Sequence, residues 1–464
     1  MSEWKKIAIG NKLYQNVHET VLTAAQAAIE NAFINAAEAQ TRFPGMEEFA
    51  TLAGNAPVYL HDWQGDLVGV TRGQVYTIDR NGQVRDRTGV PISGGRRAVF
   101  DKTPNELLIA SGGPIVRLAG NVTEILSEDA PMATHVAYTG GYVVAAETDS
   151  GFFYHSEAQN YREWDPIDIF AANAKPDPIS ALLATRYEEL IVAGPDSMEQ
   201  YERLPTGNIP FFRRWSVGNG VFAPYTLIEA DNAAWAINHR QEFARISGQT
   251  SQSFSDDVQL VFEGVDDWTD AWAAELFIAG HRFIVLQMPF ATNVHGTKGI
   301  TALFDYPRKH WHSLYGWDEK QFTPGRWPGW SVKHMWGRTF VGCNGKICEL
   351  KVGTYSNDTV LQRMLGRTAH LTGKGEFCVD NVRMLLRRGA AGSNPAPNIS
   401  LRCRRDNGPW TPWNRRSLGG PGQSDFEIRF GGYGWGHSFQ FEWMVSEDVE
   451  VELKGLEWQR SGGR

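Results

Sequence analysis

The chain has 464 residues, 42% of them hydrophobic, with a formal net charge of −8 and a pI near 5.9. That length exceeds what one ordinary core serves, so two domains, or one large repeat-built domain plus another, are predicted. An acidic chain lacks the clustered Lys and Arg that coat duplex DNA, no stretch approaches the roughly 20 apolar residues that span a bilayer, and the cysteines (Cys343, Cys348, Cys378, Cys403) outline no disulfide framework.

Met1–Lys6 leads into Ile7–Gly10 and not into a long apolar run, so no signal peptide is predicted. Reduced thiols then suit assembly in a cytosol. The 48 Gly and 17 Trp point to an all-β chain, because Gly supplies the positive φ of tight turns and aromatics cover flat sheet faces. Residues 1–56 read as an N-terminal extended segment that joins the domain after it. Within it, Thr20–Ala39 is Ala-rich, which alone favours helix. It has no apolar stripe at helical spacing, and Asn31 and Asn35 interrupt it. Arg42-Phe43-Pro44-Gly45-Met46 then ends any regular element in a Pro-Gly turn.

From about residue 57 the hydrophobic period becomes two. Pro57–Trp63, Asp66–Val70 and Gly73–Asp79 read as strands, and Arg80-Asn81-Gly82 as a hairpin turn. Groups of similar strands come next. Glu106–Ala110 leads the first, Gly141–Ala146 the second and Glu189–Ala193 the third. Then come Ala233–Asn238 with Glu242–Ile246 and Val258–Phe262, Glu275–Ala279 with Phe283–Gln287 and Thr301–Asp305, and Thr339–Cys343 with Lys346–Leu350. One phrase recurs: an apolar strand of type E-L-x-I/V-A meets a Gly turn, as in Glu106–Ala110, Glu189–Ala193 and Glu275–Ala279. About 300 residues in six or seven groups of roughly 40–50 match the size of propeller blades. Residues 57–355 are therefore predicted to be a β-propeller of about six blades. A chain of β-sandwiches is the other all-β reading, and the constancy of the phrase favours the propeller.

After Tyr355 the character shifts. Val382–Leu386, Ile399–Arg404, Phe426–Phe430, Ser438–Val445 and Val449–Trp458 alternate cleanly around a turn at Asp406-Asn407-Gly408-Pro409. That spacing suits a small antiparallel β-sandwich over 356–464.

No catalytic, cofactor-binding or metal site is predicted. Cys343 and Cys348 with His334 lack zinc-ribbon spacing and fit packing on a hairpin. His310 and His312 share a strand face, with His295 nearby, but no carboxylate or third ligand accompanies them. Asp256-Asp257 and Asp266-Asp267 are adjacent pairs, whose side chains diverge on a strand, so neither is a dyad. Asp406-Asn407-Gly408-Pro409-Trp410 is similar to the Asp-box turn of sialidase-like propellers, yet its Trp comes one residue early and it occurs once. Trp311, Trp317, Trp327, Trp330 and Trp336 could stack on sugars, and filling between blades is the plainer reading. There is no G-x-S-x-G, no phosphate loop and no H-E-x-x-H.

Short motifs along the chain resemble those of the packaged-DNA stabilisation proteins of short-tailed phages, the tail hub or nozzle family. Asn31–Asn35 (NAFIN) followed by Thr41–Met46 (TRFPGM) matches its N-terminal pattern. Leu190–Tyr201 (LIVAGPDSMEQY), then Pro205–Arg213 with Phe211 and Phe212, matches its mid-chain pattern, and Val449–Trp458 its final strand. The resemblance implies a propeller with a C-terminal sandwich and no catalytic residues. It implies six copies in a ring below the portal and adaptor, with tail fibre, spike or needle proteins as further partners. It implies retention of packaged double-stranded DNA, which passes an axial channel without sequence-specific binding or a membrane, in a virion tail assembled in the host cytoplasm. It also implies that Asn31–Asn35 is extended and not helical. Two other functions stay open at this point: a carbohydrate-binding or glycan-hydrolysing propeller, motivated by the Trp content, and a scaffold propeller for other proteins.

Overall fold

The computed structural model describes residues 4–7, 28–172, 175–204, 210–358, 360–391, 396–420 and 425–460. Strands dominate the described residues. Four-stranded antiparallel units succeed one another around an axis, over 59–86, 99–125, 133–171, 181–217 and 228–253. A unit over 272–313 comes next, and the last comprises 331–351 closed by an N-terminal strand. Six of these seven are sheets separate from the sandwich, matching the predicted count of about six. The unit over 272–313 continues instead into the C-terminal sheet, through a parallel pairing of Ser313 with Glu30.

The first strand of each unit lies nearest the axis. Ser331–Met335 packs beside Tyr59–Trp63, Val99–Lys102 beside Ala133–Thr139, and Trp272–Ile278 beside Ser331–Met335, so the ring closes. Successive strands join through tight turns. Gln64-Gly65 and Arg72-Gly73 both have positive φ at the two central positions, the geometry whose twist matches paired strands.

The repeated apolar phrase has a direct explanation. In Leu190–Ala193 all four side chains are buried. Leu190 and Val192 enter the core shared with the preceding blade, whereas Ile191 and Ala193 enter the core shared with the next one. Leu107–Ala110 divides in the same way between its two neighbours. A strand covered on both faces loses the alternation of a half-exposed one. One such core fills each junction around the ring, so no blade buries its faces alone. The third copy is out of phase. Glu275–Ala279 falls in Trp272–Ile278, the first strand of its blade, whereas the other two copies are second strands.

Two local readings change. Val258–Phe262 reads as a strand in the sequence, and the chain instead forms a single helical turn there, α1 (Gln259–Glu263). Val258 and Phe262 are fully buried and Leu260 is exposed, a one-sided pattern at i and i+4 that satisfies a helix and not a strand. Propensity favours helix over Thr20–Ala39. Residues 20–27 lie outside the described residues, and the remainder is extended, as β2 (Ala28–Glu30) and β3 (Ala32–Ile34), preceded in the chain by β1 (Trp4–Ile7). Tertiary pairing outweighs alanine's weak preference here. Residues 205–209 of the mid-chain segment and 392–395 of the Gly/Ala/Asn/Pro-rich loop also lie outside the described residues.

After β3 come β4 (Gln40–Arg42) and β5 (Gly45–Thr51). β5 is the outer strand of the last blade, paired from Thr51 with Lys346 to Gly45 with Lys351. The N-terminal segment therefore fastens the end of the propeller to its beginning. β4 and β1 both pair with Val449–Gln459 in the C-terminal sheet.

That sheet folds into two layers. Met364–Arg367 and Asn398–Arg405 flank the second half of the 21-residue strand Asp425–Val445. The first half pairs with Leu371–Ala391, which pairs in turn with Val449–Gln459. Register shifts along the long strands let them pass from one layer to the other. Phe439, Phe441 and Trp443 from one layer meet Val382, Met384 and Leu453 from the other in a single core. The four cysteines are free and buried. Among the described residues no helix is long and apolar enough to cross a membrane.

Candidate functional site

The residues singled out in the sequence do not converge. Cys343 and Cys348 sit in the core between the last two blades with Leu350 and Trp327. The neighbouring Cys348 thiol, together with burial, holds the Cys343 thiol protonated, well above its ordinary range. His334 is exposed and bonds Thr339 Oγ1 at 3.0 Å. His295 meets Glu30 Oε1 at 2.9 Å. His310 and His312 share a face of His310–Ser313 near His281, and among the described residues no group of three or more His, Cys, Asp or Glu is arranged to hold a metal.

Asp256 and Asp257 are exposed ahead of α1. Asp266 accepts bonds from Thr292 N and Oγ1 at 2.7 and 2.6 Å, and Asp267 accepts from Thr269 N at 2.9 Å. Asp406 and Asn407 both take positive φ, and Gly408 N closes the turn onto Arg405 O at 2.7 Å. Trp410 beyond the turn is covered by Arg402 and Arg404 at 4.9 and 5.2 Å. The five clustered tryptophans are dispersed as well. Trp311, Trp327 and Trp330 are buried. Trp317 lies 3.5 Å beneath Arg363, and Trp336 donates to Gly65 O at 3.1 Å.

Two places do gather polar groups from distant parts of the chain. The first is the joint between propeller and sandwich. Asn31 adopts φ 56°, a left-handed conformation that Asn tolerates better than most residues. This lets it use both ends of its amide. Nδ2 donates to Arg363 O at 2.6 Å and Oδ1 accepts from Tyr315 N at 2.8 Å. Its backbone N–H donates to Ser313 O at 2.9 Å and its carbonyl accepts from Phe43 N at 2.8 Å. Asn35 Oδ1 accepts from Ala37 N and Ala39 N at 2.9 and 3.0 Å, while Nδ2 donates to Thr41 Oγ1 at 2.8 Å.

Arg42 lies at the centre of the joint and is 1% exposed. Its guanidinium donates to the carbonyls of Glu447 and Gln362, to Val449 O at 3.1 Å and to Tyr355 O at 3.4 Å. It also rests 4.8 Å over the Tyr355 ring. Burial lowers its pKa to about 10, so the cation persists at neutral pH. Phe43 is fully buried and Gly45 N donates to Thr354 O at 2.6 Å. A Cβ on Gly45 would lie 2.1 Å from Ser356 O, so this approach requires glycine. The TRFPGM segment is thus the clamp itself. The mid-chain segment is a blade hairpin of the same structural kind. Asp177 accepts from Asp196 N, Ser197 N and Ser197 Oγ at 2.9, 3.1 and 2.9 Å, and buried Glu199 accepts from Tyr201 Oη at 2.6 Å.

The second place is the mouth of the propeller axis, a cavity of about 420 Å³ bordered by the first strands of the successive units. Tyr59, Arg97, Tyr225 and Trp272 form its inner wall, and His61, Asp101, His135 and Lys333 also border it. His135 stacks on Tyr225 at 5.6 Å. Sequence reading missed this group. Its only local signal is Arg96-Arg97 after Gly94-Gly95, directly before a strand.

The buried imidazoles set the sign of the acid response. Burial pushes His61 down to about 3, aided by Lys333, and His135 down to about 4, aided by Arg96. Burial also lowers His312 to about 3. Unfolded histidine takes its proton near 6.5. The stability these neutral rings contribute is complete above about pH 6.5 and is lost as the pH falls toward the folded values. Asp101 runs the other way. Burial raises it to about 6, so acidification through pH 6 favours the folded form. Three histidines at about 2 kcal/mol each between pH 7 and 5, against about 1 kcal/mol from Asp101, leave a net loss of several kcal/mol. Urea titrations at the two pH values are expected to show it, and His135→Asn to reduce the slope by about a third. A free energy of unfolding equal at pH 7 and pH 5 would contradict the assignment.

No curated protein matches the chain at a significant level. The family model described as Bacteriophage P22 Gp10, β-propeller (Phage_stabilise), matches residues 22–342. Among solved structures, a computationally designed protein is 12% identical, with 66% of this chain and 100% of that one covered and a TM-score of 0.41. PorZ, a surface component of the type-IX secretion system of Porphyromonas gingivalis, is 10% identical over 72% of this chain and 44% of its own length, with a TM-score of 0.40. The extracellular domain of the putative one-component system BT4673 from B. thetaiotaomicron is 9% identical over 87% and 57%, with a TM-score of 0.42. At these scores the three likenesses carry no argument about this chain.

Proposed function

Because the chain belongs to the Phage_stabilise family, the Bacteriophage P22 Gp10 β-propellers, we propose that it is a tail hub or nozzle protein that retains packaged DNA. The family is one of phage structural proteins, which fits a virion component that assembles with other phage proteins and is not an enzyme. In the finer reading, six copies form a ring below the portal and adaptor in the tail, assembled in the host cytoplasm. The ring contacts tail fibre, spike or needle proteins, and its lumen is the DNA exit channel. The chain divides into a joining segment over 1–56, the propeller over 57–355 and the sandwich over 356–464.

The observation that carries this reading is the family match over 22–342. It begins before the NAFIN segment, includes the TRFPGM clamp and extends to the end of the strand Arg338–Gly342 in the last blade. The hydrogen-bonded joint supports it, since a part that bears load between other virion proteins needs its two halves tied together. Charge supports it as well. Residues 1–355 carry 30 Lys and Arg against 41 Asp and Glu, a net of −11, and residues 356–464 carry 15 against 12, a net of +3. An acidic propeller repels duplex phosphates, so DNA moving past it is not held.

Virions assembled without this protein are expected to lose their DNA and to show truncated tails by electron microscopy. Full, DNA-retaining particles with complete tails would sink the reading. Native mass spectrometry of the assembled ring is expected to find six copies of a 51.8 kDa chain.

A further inference from the structure

Arg97 stands just ahead of the axial strand Val99–Lys102 and projects into the cavity at the propeller mouth. Three aromatic rings from other blades or their connections surround it. Its guanidinium carbon lies 4.7 Å from the Tyr59 ring, 5.0 Å from Trp272 and 5.9 Å from Tyr225. One nitrogen, Nη2, donates to the Trp330 carbonyl. The other, Nη1, is enclosed and has no hydrogen-bond partner among the described residues. No carboxylate among the described residues bonds to it, and Asp270 acts on it only through space. The fully buried Arg42 differs in this respect, because both of its terminal nitrogens are covered by carbonyls.

A desolvated cation with no carboxylate bonded to it is costly, and aromatic faces and the distant Asp270 offset only part of that cost. The remaining demand is for an anion held in the cavity beside the guanidinium. A guanidinium edge suits a carboxylate by geometry as well as charge. The walls set the rest of the ligand. Tyr59, Tyr225 and Trp272 offer faces to a flat or apolar body, and about 420 Å³ falls in the size range of small-ligand pockets. Asp101, Glu229 and Glu275 also border the cavity. Glu229 is engaged by Arg186 at 2.5 Å and Glu275 by Tyr306 Oη at 2.8 Å. Their negative field disfavours polyanions such as nucleotides or DNA and leaves room for a single negative charge.

We propose that the mouth of the propeller axis binds a monocarboxylate carried on a ring or short apolar body, with Arg97 as its anchor. The carboxylate can come from a free small acid or from the end of a protein chain. This site goes beyond the tail-hub reading and does not depend on it.

Isothermal titration of the full chain tests the proposal with sodium benzoate, with N-acetylphenylalanine and with N-acetylphenylalaninamide, which lacks the carboxylate. One-to-one, saturable binding of benzoate or N-acetylphenylalanine is expected, and none of the amide. Binding of benzoate alone identifies a free acid as the ligand class, and binding of N-acetylphenylalanine alone a chain end. Arg97→Met is expected to abolish binding without lowering the melting temperature, since it removes an unpaired cation. Arg97→Lys is expected to weaken binding at least tenfold, because it keeps the charge and loses the fork. If Arg97→Met does not fold, Tyr59→Leu replaces it, with weaker binding of both acids expected. Failure of both acids to bind the unaltered chain overturns the proposal. So do equal affinities for an acid and the amide, or binding unchanged in the folded variant.

Discussion

A chain beginning at Leu52 is expected to lose its single cooperative unfolding transition and to associate through its exposed edge. Removal of the preceding residues deletes β5, the fourth strand of the last blade, and leaves Lys346–Lys351 as an unpaired edge. Unpaired edges recruit other chains. The deletion also empties cores on both sides of the joint. Met46, Phe33 and Phe43 come from the core between the last two blades, and Ile29 and Ile34 from the sandwich. At about 2 kcal/mol for each such side chain, the loss approaches 10 kcal/mol, comparable to the whole stability of a typical domain. Thermal unfolding followed by circular dichroism, with size exclusion of the unheated sample, reads both effects. A peptide covering residues 28–51 added in trans is expected to restore a sharp transition, since it can pair along the vacant edge. A truncated chain that unfolds at the original temperature as a monomer would show that the ring closes without β5.

The same segment shows where the sequence was readable and where it was not. Blade strands were legible because burial on one or both faces leaves a period of two or an unbroken apolar run, as in Leu190–Ala193. The sandwich was legible from the alternation in Val449–Gln459, where Val449, Val451 and Leu453 face the core. The blade phase was not legible, because Glu275–Ala279 has the composition of a second strand and the position of a first. Nor was the fusion of the blade over 272–313 with the C-terminal sheet, which rests on pairing through β2. The TRFPGM segment stood out as a resemblance, yet its role could not be read. The partners of Arg42 are separated from it by 313 to 407 residues. Arg97 passed unnoticed for the same reason. Beside a strand it reads as a terminal charge, and its three aromatic neighbours are drawn from 59, 225 and 272. Local patterns report burial well, whereas a buried charge is explained by partners that only the closed fold assembles.

Arg42→Met is expected to lower stability by about 3 kcal/mol, a large effect for one substitution. Two terms compete. Methionine removes the cost of burying a cation and keeps much of the apolar stem's packing. Against this, it takes the guanidinium's bonds away from the carbonyls of Gln362, Glu447 and Val449, whereas Tyr355 O keeps its bond from Gln362 N at 3.0 Å. A buried acceptor deprived of its donor costs about 1–3 kcal/mol, so three of them outweigh the relief of one cation. Arg42→Lys keeps the charge but offers a single donor centre that cannot face carbonyls on both sides of the joint, and about half the loss is expected. The effect should be local before it is global. Residues 355–364 follow the last blade and residues 445–449 belong to the sandwich; Arg42 bonds both, and Asp448 Oδ1 adds one bond from Tyr355 N at 2.9 Å. Hydrogen exchange is therefore expected to quicken over 28–51, 355–364 and 445–449 in Arg42→Met while the blades over 99–253 keep their protection. Uniform exchange across the chain, or a melting temperature equal to that of the unaltered protein, would mean that the clamp contributes nothing to holding the two halves together. If the pattern holds, assembly should suffer more than folding. A propeller and sandwich that each survive but swing on a loose joint present any binding partner with a range of shapes, and ordering them costs free energy before the contact forms.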